Sequence, residues 1–509
     1  MSRKALLFPA ILTASFAASA VSRGDSRDAY GILPRSLDPA FASVYSHAIT
    51  NHPAILAAGL RAESAYLKFD AFGTLFKTPT LNASLGYSAG ADDVPGVSIG
   101  RVAPEGSVSV GAGVEAPVGK GVYAGVGAAQ RFLTDSDEAD AQTAVGARLR
   151  VPLIKDFGYA LNEHESQKLR AEAFIAEAEQ RRIRADVSRE IFLAWNLYLR
   201  SAADTEAVAQ AVRRAEKLLD ETSERAKFQD VAGYQLFPAQ YEVALRKEEL
   251  QEARQNTAAR LETLREKLGF CYTPVNKTEP ASVISAPSSN AVFAAAGAII
   301  KRRDLTFSAE HALNVSPAIA VAGEKWSLAS MTILALKQSQ KDTLDFTAGA
   351  GFRGETANGI IGTDGILTKD TAVFEIGLTY KRPLGRTGFN KEIEAANKEL
   401  EAVNEEASAV QNEVVAALVR AQITFASACG RLELAQEAIA RARDSLEAEE
   451  SRFNLGEGSS RNVLDAQKDL TNATRRGISV AGAVADALVE LLHAAGADPF
   501  DVFENETDE

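Results

Sequence analysis

The sequence predicts an α+β membrane protein built from two internal repeats, in which the strands of a transmembrane β-barrel are joined to very long coiled-coil helices. Three observations support this fold class. The segment SHAITNHPAILAAG at 46–59 returns as EHALNVSPAIAVAG at 310–323, with His, Ala, Pro-Ala-Ile and Ala-Gly in register. Segments that alternate apolar and polar residues follow each copy. Long helical patterns rich in Ala, Glu and Arg come after these alternating segments.

Residues 1–20 have the pattern of a secretory signal peptide. The basic residues Arg3 and Lys4 precede an apolar run, and Ala18-Ser19-Ala20 has the small-x-small form that a signal peptidase cuts. A membrane anchor is the alternative. The run is interrupted by polar residues, however, and is shorter than the roughly 20 residues that a spanning helix needs. We therefore expect the chain to be exported.

The composition argues against several classes of protein. The chain has 509 residues, of which 55 are basic and 68 acidic, and a net charge of −13 disfavours a nucleic-acid partner, which needs a basic face. Two cysteines and five scattered histidines indicate neither a disulfide framework nor a metal site. The Gly-rich pieces are not followed by a helix, as a phosphate loop would be. We therefore expect no enzyme activity, no cofactor and no metal.

The repeats divide the chain into two similar halves. Repeat 1 covers 21–270, with a first helix, barrel strands at about 80–151 and a long helix hairpin at about 157–269. A linker at 271–304 leads to repeat 2, which covers 305–496, with strands at about 344–382 and a hairpin at about 388–496. An acidic, disordered tail is expected at 497–509.

The alternating segments have the length of tilted membrane-spanning strands. In Ala372 to Tyr380, for example, Phe374 and Ile376 share one face, and Glu375 lies on the opposite face. An apolar face for lipid and a polar, glycine-rich face for a lumen are typical of outer-membrane barrels. A soluble β-sandwich alternates in the same way and remains an alternative on the strands alone. The count is six strands per chain, or four if an extra hairpin in repeat 1 lies outside the barrel.

The helices favour the membrane protein over the sandwich. Apolar and small residues step by 3 and 4 from Val463 to Leu491, which is a heptad seam. The uninterrupted pattern at 388–453 corresponds to a helix of roughly 100 Å at 1.5 Å per residue. A plain soluble coiled coil would explain neither the signal peptide nor the strands.

Each long helical pattern is broken once by glycine. In FNLGEGSSRNVLDAQ at 453–467, Gly456 or Gly458 can take the positive φ that ends a helix, and the following Ser pair can cap the next one. In repeat 1, FQDVAGYQLFPAQ at 228–240 has Gly233 at the corresponding break. We interpret both stretches as the tips of antiparallel helix hairpins. A turn with no further role is the alternative.

This order of elements, used twice, resembles that of the TolC-like outer-membrane efflux proteins. The pieces that carry the resemblance are HPAILAAG and SPAIAVAG, VPLIKDFG at 151–158, RPLGRTGF at 382–389, and the 453–467 tip. Each piece is weak alone, but the repeated order is specific. The resemblance implies a homotrimer in which a trimeric outer-membrane β-barrel is continued by a long periplasmic α-helical coiled-coil barrel.

The resemblance also implies partners and a location. The protein would lie in the outer membrane of a Gram-negative-type bacterium, in contact with outer-membrane lipid, with its helices in the periplasm. Its tips would meet a periplasmic adaptor protein, which is coupled to an inner-membrane pump. A physical argument supports the trimer, because one chain has too few strands to close a barrel, and an open edge leaves backbone groups unsatisfied in lipid.

The implied site residues lie at the tips. Asp465 falls at the family position whose aspartates form a carboxylate ring at the pore constriction, where they attract cations; a solvated helix carboxylate is the alternative. The residues implied in the tip and in adaptor docking are Gly233, Phe453, Leu455, Gly456, Gly458, Val463 and Leu464.

Two positions depart from the family pattern. Phe453 stands where the family often has a tyrosine that helps hold the tip shut, and Gly458 stands where an arginine can do so. Both polar links are missing. Arg452, Glu457 or Arg461 must then supply other contacts, or the closed state is weaker.

The expected function is the exit duct of a tripartite efflux system, which passively conducts small toxic solutes or drugs from a pump–adaptor complex to the exterior. One alternative is the exit duct of an ATPase-driven (type I) protein secretion system. A structural or receptor barrel with a coiled-coil stalk is an alternative of a different class.

Overall fold

The computed structural model describes a large part of the chain. The described residues are 45–46, 48–75, 78–88, 107–119, 121–133, 141–155, 161–227, 236–269, 289–300, 305–356, 372–382, 385 and 387–496. The predicted signal peptide at 1–20, the tail from 497, Gly233 and most of the predicted linker lie outside these residues.

The described chain contains groups of consecutive strands separated by helices. In order, the elements are α1 (Pro53–Leu75), β1 (Thr80–Ser88), β2 (Ser107–Gly119), β3 (Val122–Leu133), β4 (Ala141–Pro152), α2 (Leu161–Lys227), α3 (Leu236–Lys267), α4 (Ser289–Ile300), α5 (Ala309–Val315), α6 (Pro317–Ser339), β5 (Thr343–Thr356), β6 (Ala372–Lys381), α7 (Thr387–Asn454) and α8 (Ser460–Ala494).

Helix lengths recur along the chain. The helices α1 and α6 each have 23 residues, and α2 and α7 have 67 and 68. Both 23-residue helices begin at a proline, Pro53 and Pro317, at the position where a missing N–H costs nothing. Ser316, which precedes Pro317, is extended with φ −60° and ψ 121°, as the clash with the proline ring requires.

The six strands form one antiparallel sheet in the order β1-β2-β3-β4-β5-β6. The extra hairpin of the first half, β2 and β3, lies inside this sheet, and Gly121 supplies a φ of +79° at its turn. The pairing of β4 with β5 joins the strands of the two halves. The described chain therefore contributes six strands to one sheet, and not four.

The sheet has one apolar face and one polar face. On the apolar face, large side chains are exposed, with Leu85 and Phe374 each 79% exposed and Ile376 78%. A soluble β-sandwich would bury these residues against a second sheet. Among the described strands there is no second sheet. The observed exposure therefore disagrees with the sandwich alternative and fits a face made for lipid.

The chain divides into two compact units. One contains the strands and spans Ala62–Ile175 and Glu324–Glu405. The other contains the described residues up to Arg61, Ala176–Gly323 and the described residues from Glu406 onward.

The helical unit has its core around α8. Val484 and Leu491 of α8 are fully buried, together with Leu418 and Phe425 of α7. Small residues permit close packing, since a Cβ at Gly482 would overlap the Arg200 side chain. Part of the predicted linker is also structured, because α4 buries Val292, Ala296 and Ile299 in this core.

Three helices are long and apolar enough to cross a membrane when judged by length and composition alone, namely α6, α7 and α8. In α8, 61% of the apolar window is buried inside the protein. Its apolar residues therefore serve helix packing.

Candidate functional site

The end of α7 is a glycine-dependent turn. Gly456 has φ +78°, and its N–H donates to the Phe453 carbonyl over 3.1 Å. The Glu457 N–H donates to the Arg452 carbonyl over 2.9 Å. These two bonds form the Schellman motif, which satisfies the last carbonyls of a helix and needs a residue with positive φ. Gly456 fills the role that the sequence assigned to either Gly456 or Gly458.

Gly458 is needed for a different reason. Its φ is not in the positive range, so Gly458 is not the residue that ends α7 by a left-handed conformation. A Cβ added to Gly458 would lie 3.0 Å from the Phe453 nitrogen and 3.3 Å from the Arg452 carbonyl carbon. Because these neighbours are backbone atoms, they cannot swing away as a flexible side chain could. Gly458 therefore permits the close return of the chain over the end of α7.

Ser459 caps the start of α8. It is extended, with φ −97° and ψ 151°, and its hydroxyl oxygen accepts from the Asn462 N–H over 3.3 Å. This is the N-cap arrangement, which satisfies one of the free amides of the first turn. The following Ser460 is buried instead.

A small apolar core holds the tip together. Phe453 and Val463 are 3% and 1% exposed, and they pack with Leu218, Leu446, Ala466 and Leu470. Leu464 is partly buried against the same cluster. Phe453 and Val463 are thus interior residues of the tip in this conformation. Their predicted role as surface contacts for a docking partner does not agree with this burial.

Arg225 connects the tip to another helix, and the sequence reasoning missed it. From the last turn of α2, its guanidinium donates to the Phe453 carbonyl over 2.6 Å and to the Asn454 side-chain oxygen over 3.2 Å. The guanidinium carbon also lies 4.2 Å from the centre of the Phe453 ring. A cation is favourable here because the C-terminus of α7 carries partial negative charge.

The residues proposed to replace the missing polar links act differently. Arg452 pairs with Glu449, three residues earlier on its own helix, at 3.2 Å. This pair does not join two helices. Glu457 and Arg461 are exposed. Among the described residues, the Arg225 side chain makes a polar link between the α7 end and α2.

Asp465 lies on the exposed side of α8. Asp469, four residues later, is exposed as well, so the two carboxylates lie on one face about one helical turn apart. This position is open to solvent in a single chain. It agrees with a pore-facing carboxylate and equally with the solvated carboxylate that the sequence left as the alternative.

Large apolar side chains are exposed at both hairpins. Leu455, in the turn after α7, is 76% exposed. Phe237 and Tyr241, one turn apart at the start of α3, are 69% and 68% exposed. The two α3 residues directly follow the break that contains Gly233, and the sequence reasoning did not single them out.

Polar contacts join α2 to α8 along the helical unit. Arg189 donates to both carboxylate oxygens of Glu490, over 2.9 and 2.7 Å. Arg475 donates to both oxygens of Asp204 in the same way, over 2.7 and 3.0 Å. Such paired contacts fix the register of two helices as well as their distance.

Two titratable groups in this seam have shifted pKa values. The hydrogen bond with His493, at 2.9 Å, lowers the pKa of Asp186. Burial raises the pKa of Asp486, and the neighbouring Arg200, at 3.1 Å, opposes this shift. The described residues contain no group of three or more His, Cys, Asp or Glu that could hold a metal ion.

Comparisons with known proteins agree with this architecture. Residues 309–497 match the family model described as outer membrane efflux protein. The resemblance found in the sequence is thereby confirmed for this part of the chain. A comparison with curated proteins found no significant match.

Several solved structures share the fold. The CmeC outer membrane channel of Campylobacter jejuni has a TM-score of 0.60 at 14% identity, covering 92% of this chain and 89% of that one. The outer membrane protein VceC of Vibrio cholerae has a TM-score of 0.62 at 15% identity, covering 90% and 96%. The open state of the Neisseria gonorrhoeae MtrE outer membrane channel has a TM-score of 0.57 at 16% identity, covering 90% and 89%.

Proposed function

Because residues 309–497 match the outer membrane efflux protein family, we propose that the chain is the outer-membrane exit duct of a tripartite efflux system. It passively conducts small toxic solutes or drugs that a pump–adaptor complex delivers. The observation that carries this proposal is the exposed apolar face of the six-stranded sheet. Such a face is stable in lipid and unfavourable in water.

The trimer is part of the proposal. Within one described chain, β1 and β6 each have one strand neighbour, so each leaves one edge unpaired. The two edges have similar lengths, 9 and 10 residues. In lipid these edges must be paired, and β1 of one copy can pair with β6 of the next. Three copies then close a barrel of about 18 strands.

The two-repeat architecture supports the helical duct. Each half has one 23-residue helix and one long helix, of 67 or 68 residues. At about 1.5 Å per residue, each long helix spans about 100 Å. We propose that both halves derive from one unit and that their helices form a periplasmic tunnel. We propose the outer membrane of a Gram-negative-type bacterium as its location.

The tips are the proposed docking and gating region. Asp465 from three copies would form the pore constriction, since it is exposed on α8. Leu455 and the exposed backbone at Gly456 are the adaptor contacts that remain once the buried tip residues are set aside. We add Phe237 and Tyr241, because they are large, apolar and exposed near the other break.

A first experiment tests the duct. Purified full-length protein is reconstituted in planar bilayers, and its mass is measured in detergent after chemical cross-linking. We expect a trimer and stepwise ion conductance. A stable folded monomer, or a trimer that never conducts, would favour the structural or receptor barrel. Identification of the adaptor bound to the tips would separate efflux from ATPase-driven protein secretion.

A second experiment tests the strand number. Removing the β2–β3 hairpin, Ser107–Leu133, leaves four strands in which β1 and β4 are still antiparallel. Because barrel diameter grows roughly linearly with strand number, about 12 strands instead of 18 reduce the cross-section about twofold. We expect the conductance to fall by about that factor. Unchanged conductance of a correctly inserted trimer would place the hairpin outside the barrel.

A further inference from the structure

One row of the polar sheet face carries charges that neither the fold nor the proposed function uses. The row crosses five strands through cross-strand neighbours, Glu115 on β2, Gly125 on β3, Arg148 on β4, Gly349 on β5 and Glu375 on β6. Directly opposed residues of neighbouring strands share one face of a sheet. The three charged side chains therefore point to the same side.

Glycine keeps the charges of this row apart. Gly125 and Gly349 flank Arg148, so no side chain on the adjacent strands lies beside its guanidinium in this row. With strands about 4.8 Å apart, the Cα atoms of Glu115 and Glu375 each lie about 10 Å from that of Arg148. Arg148 has no ion-pair partner among the described residues.

The neighbouring rows leave the charges accessible. On one side, Arg150 lies over the ring of Tyr123 at 4.7 Å, so this second cation is held against its neighbouring strand. On the other side, four glycines follow one another across β2 to β5, namely Gly113, Gly127, Gly146 and Gly351. The charged residues and the glycines line one concave surface.

We propose that this row binds dipolar solutes, which are organic molecules that carry a cationic and an anionic group on one chain. Arg148 takes the anionic group, and Glu115 or Glu375 takes the cationic group. The inference rests on the proposed function in one respect, because it takes the polar face as the lining of the duct.

The arrangement favours dipolar solutes over simple ions. The two arginines and two glutamates of these rows have no net charge. The Cα atoms of Arg148 and of each glutamate lie about 10 Å apart, and no ion pair joins Arg148 to either glutamate among the described residues, so each charged group is available to a solute. A simple ion makes one favourable contact, and the neighbouring charged side chain of its own sign repels it. A solute with both charges gains a contact at each end, and the second contact forms at high effective concentration.

Binding is tested on the full-length protein in detergent by saturation-transfer NMR. The probe is 6-aminohexanoate, and the matched single-charge compounds are hexanoate and hexylammonium. We expect the protein to bind 6-aminohexanoate about five-fold more tightly than either compound, because both ends are engaged. Arg148→Gln and the double variant Glu115→Gln/Glu375→Gln should each abolish this preference. Lys398→Gln, an exposed position on α7 that pairs with Glu401 on its own helix, is the control and should keep it.

Bilayer recordings separate this inference from the proposed function. In channels that conduct, Arg148→Gln should raise the preference for potassium over chloride, and the double glutamate variant should lower it. If the channels conduct but the protein shows no preference for 6-aminohexanoate, the dipolar site is refuted and the duct is not. The same conclusion follows if both variants keep the preference. Preferential binding by a protein that never conducts would sustain the site and refute the duct.

Discussion

Arg225 should control how often the end of α7 opens. Replacing it with Met keeps much of the aliphatic stem and removes the guanidinium, and with it the 2.6 Å bond to the Phe453 carbonyl and the 4.2 Å contact with the Phe453 ring. A hydrogen bond from a charged donor contributes about 1.5–3 kcal/mol, and an exposed cation–π contact about 0.5–1 kcal/mol. Arg225 is half-buried, so solvent screening reduces the sum, and we expect a loss of about 2 kcal/mol.

This loss has a measurable consequence. About 2 kcal/mol corresponds to about a 30-fold rise in the population of the open α7 end, at 1.4 kcal/mol per factor of ten. Hydrogen exchange followed by mass spectrometry reports this population through the amides of Gly456 and Glu457, which are bonded in the closed turn. We expect their exchange to accelerate by about that factor in Arg225→Met. Amides in the middle of α7 should be unaffected.

Lys227 provides the matched control. It is also a basic residue of the last turn of α2, but its ammonium pairs with Glu224 on the same helix at 2.9 Å. Lys227→Met should therefore change the exchange of the α7 end by less than about twofold, as expected for an exposed pair. If Arg225→Met leaves these amides as protected as Lys227→Met does, the contact with Phe453 does not hold the tip, and the reasoning fails.

Three further changes test other parts of the site. Gly456→Val should destabilise the tip by about 1–3 kcal/mol because a β-branched residue is strained at positive φ. Adaptor binding in a pull-down should then fall, while membrane insertion stays intact. Gly458→Ala should impair the tip through contact with backbone atoms, even though the φ of Gly458 is not positive. If Asp465 lines the constriction, Asp465→Asn should reduce cation selectivity and weaken block by a trivalent cation in bilayers, with trimer stability unchanged; a selectivity equal to that of the parent would place Asp465 away from the pore. Because the pKa of Asp186 is lowered in the folded protein, its contribution to stability is present above the pKa of the unfolded chain and is lost as pH falls through the lower folded value. Asp186→Asn should therefore lower stability near pH 7 and flatten its decline in acid, as followed by circular dichroism melts.

The strands were largely predictable because their side chains repeat with a period of two. The alternation predicts strands at 80–88 and 372–380, and the structure has β1 at Thr80–Ser88 and β6 at Ala372–Lys381. In β2 the alternation of apolar and polar residues ends at Val114, but the observed strand continues to Gly119. Glu115 and Pro117 weaken the local pattern, and pairing with β3 imposes the strand there.

Helix α4 shows the opposite case. Its 12 residues follow a segment rich in proline, and a helix this short is marginal alone, so local sequence indicates a linker. Burial of Val292 and Ile299 in the helical core supplies the missing stability. Tertiary contact of this kind is not visible in a local pattern.

The tip also combines features that are visible in the local sequence with features that depend on tertiary contact. The turn at Gly456 is a local feature, and its own residues predict it. The contact between Arg225 and Phe453 joins residues 228 positions apart, and the only local signal is a basic residue in the last turn of a helix. The burial of Phe453 follows from which side of α7 meets Leu218 of α2, which the family resemblance did not specify.

The exposed apolar residues of the helices bear on the assembly as much as the sheet does. On α7, Ile423 and Leu434 are 64% and 68% exposed, and on α1, Leu60 and Leu67 are 66% and 61% exposed. Scattered exposed leucines are ordinary in soluble proteins, but here they recur along two helices that also contribute buried residues to the core. In the proposed arrangement, lipid covers the sheet, yet it cannot cover helices that lie in an aqueous periplasm. Further copies of the same chain can cover these helices, and the pairing of strand edges requires those copies independently.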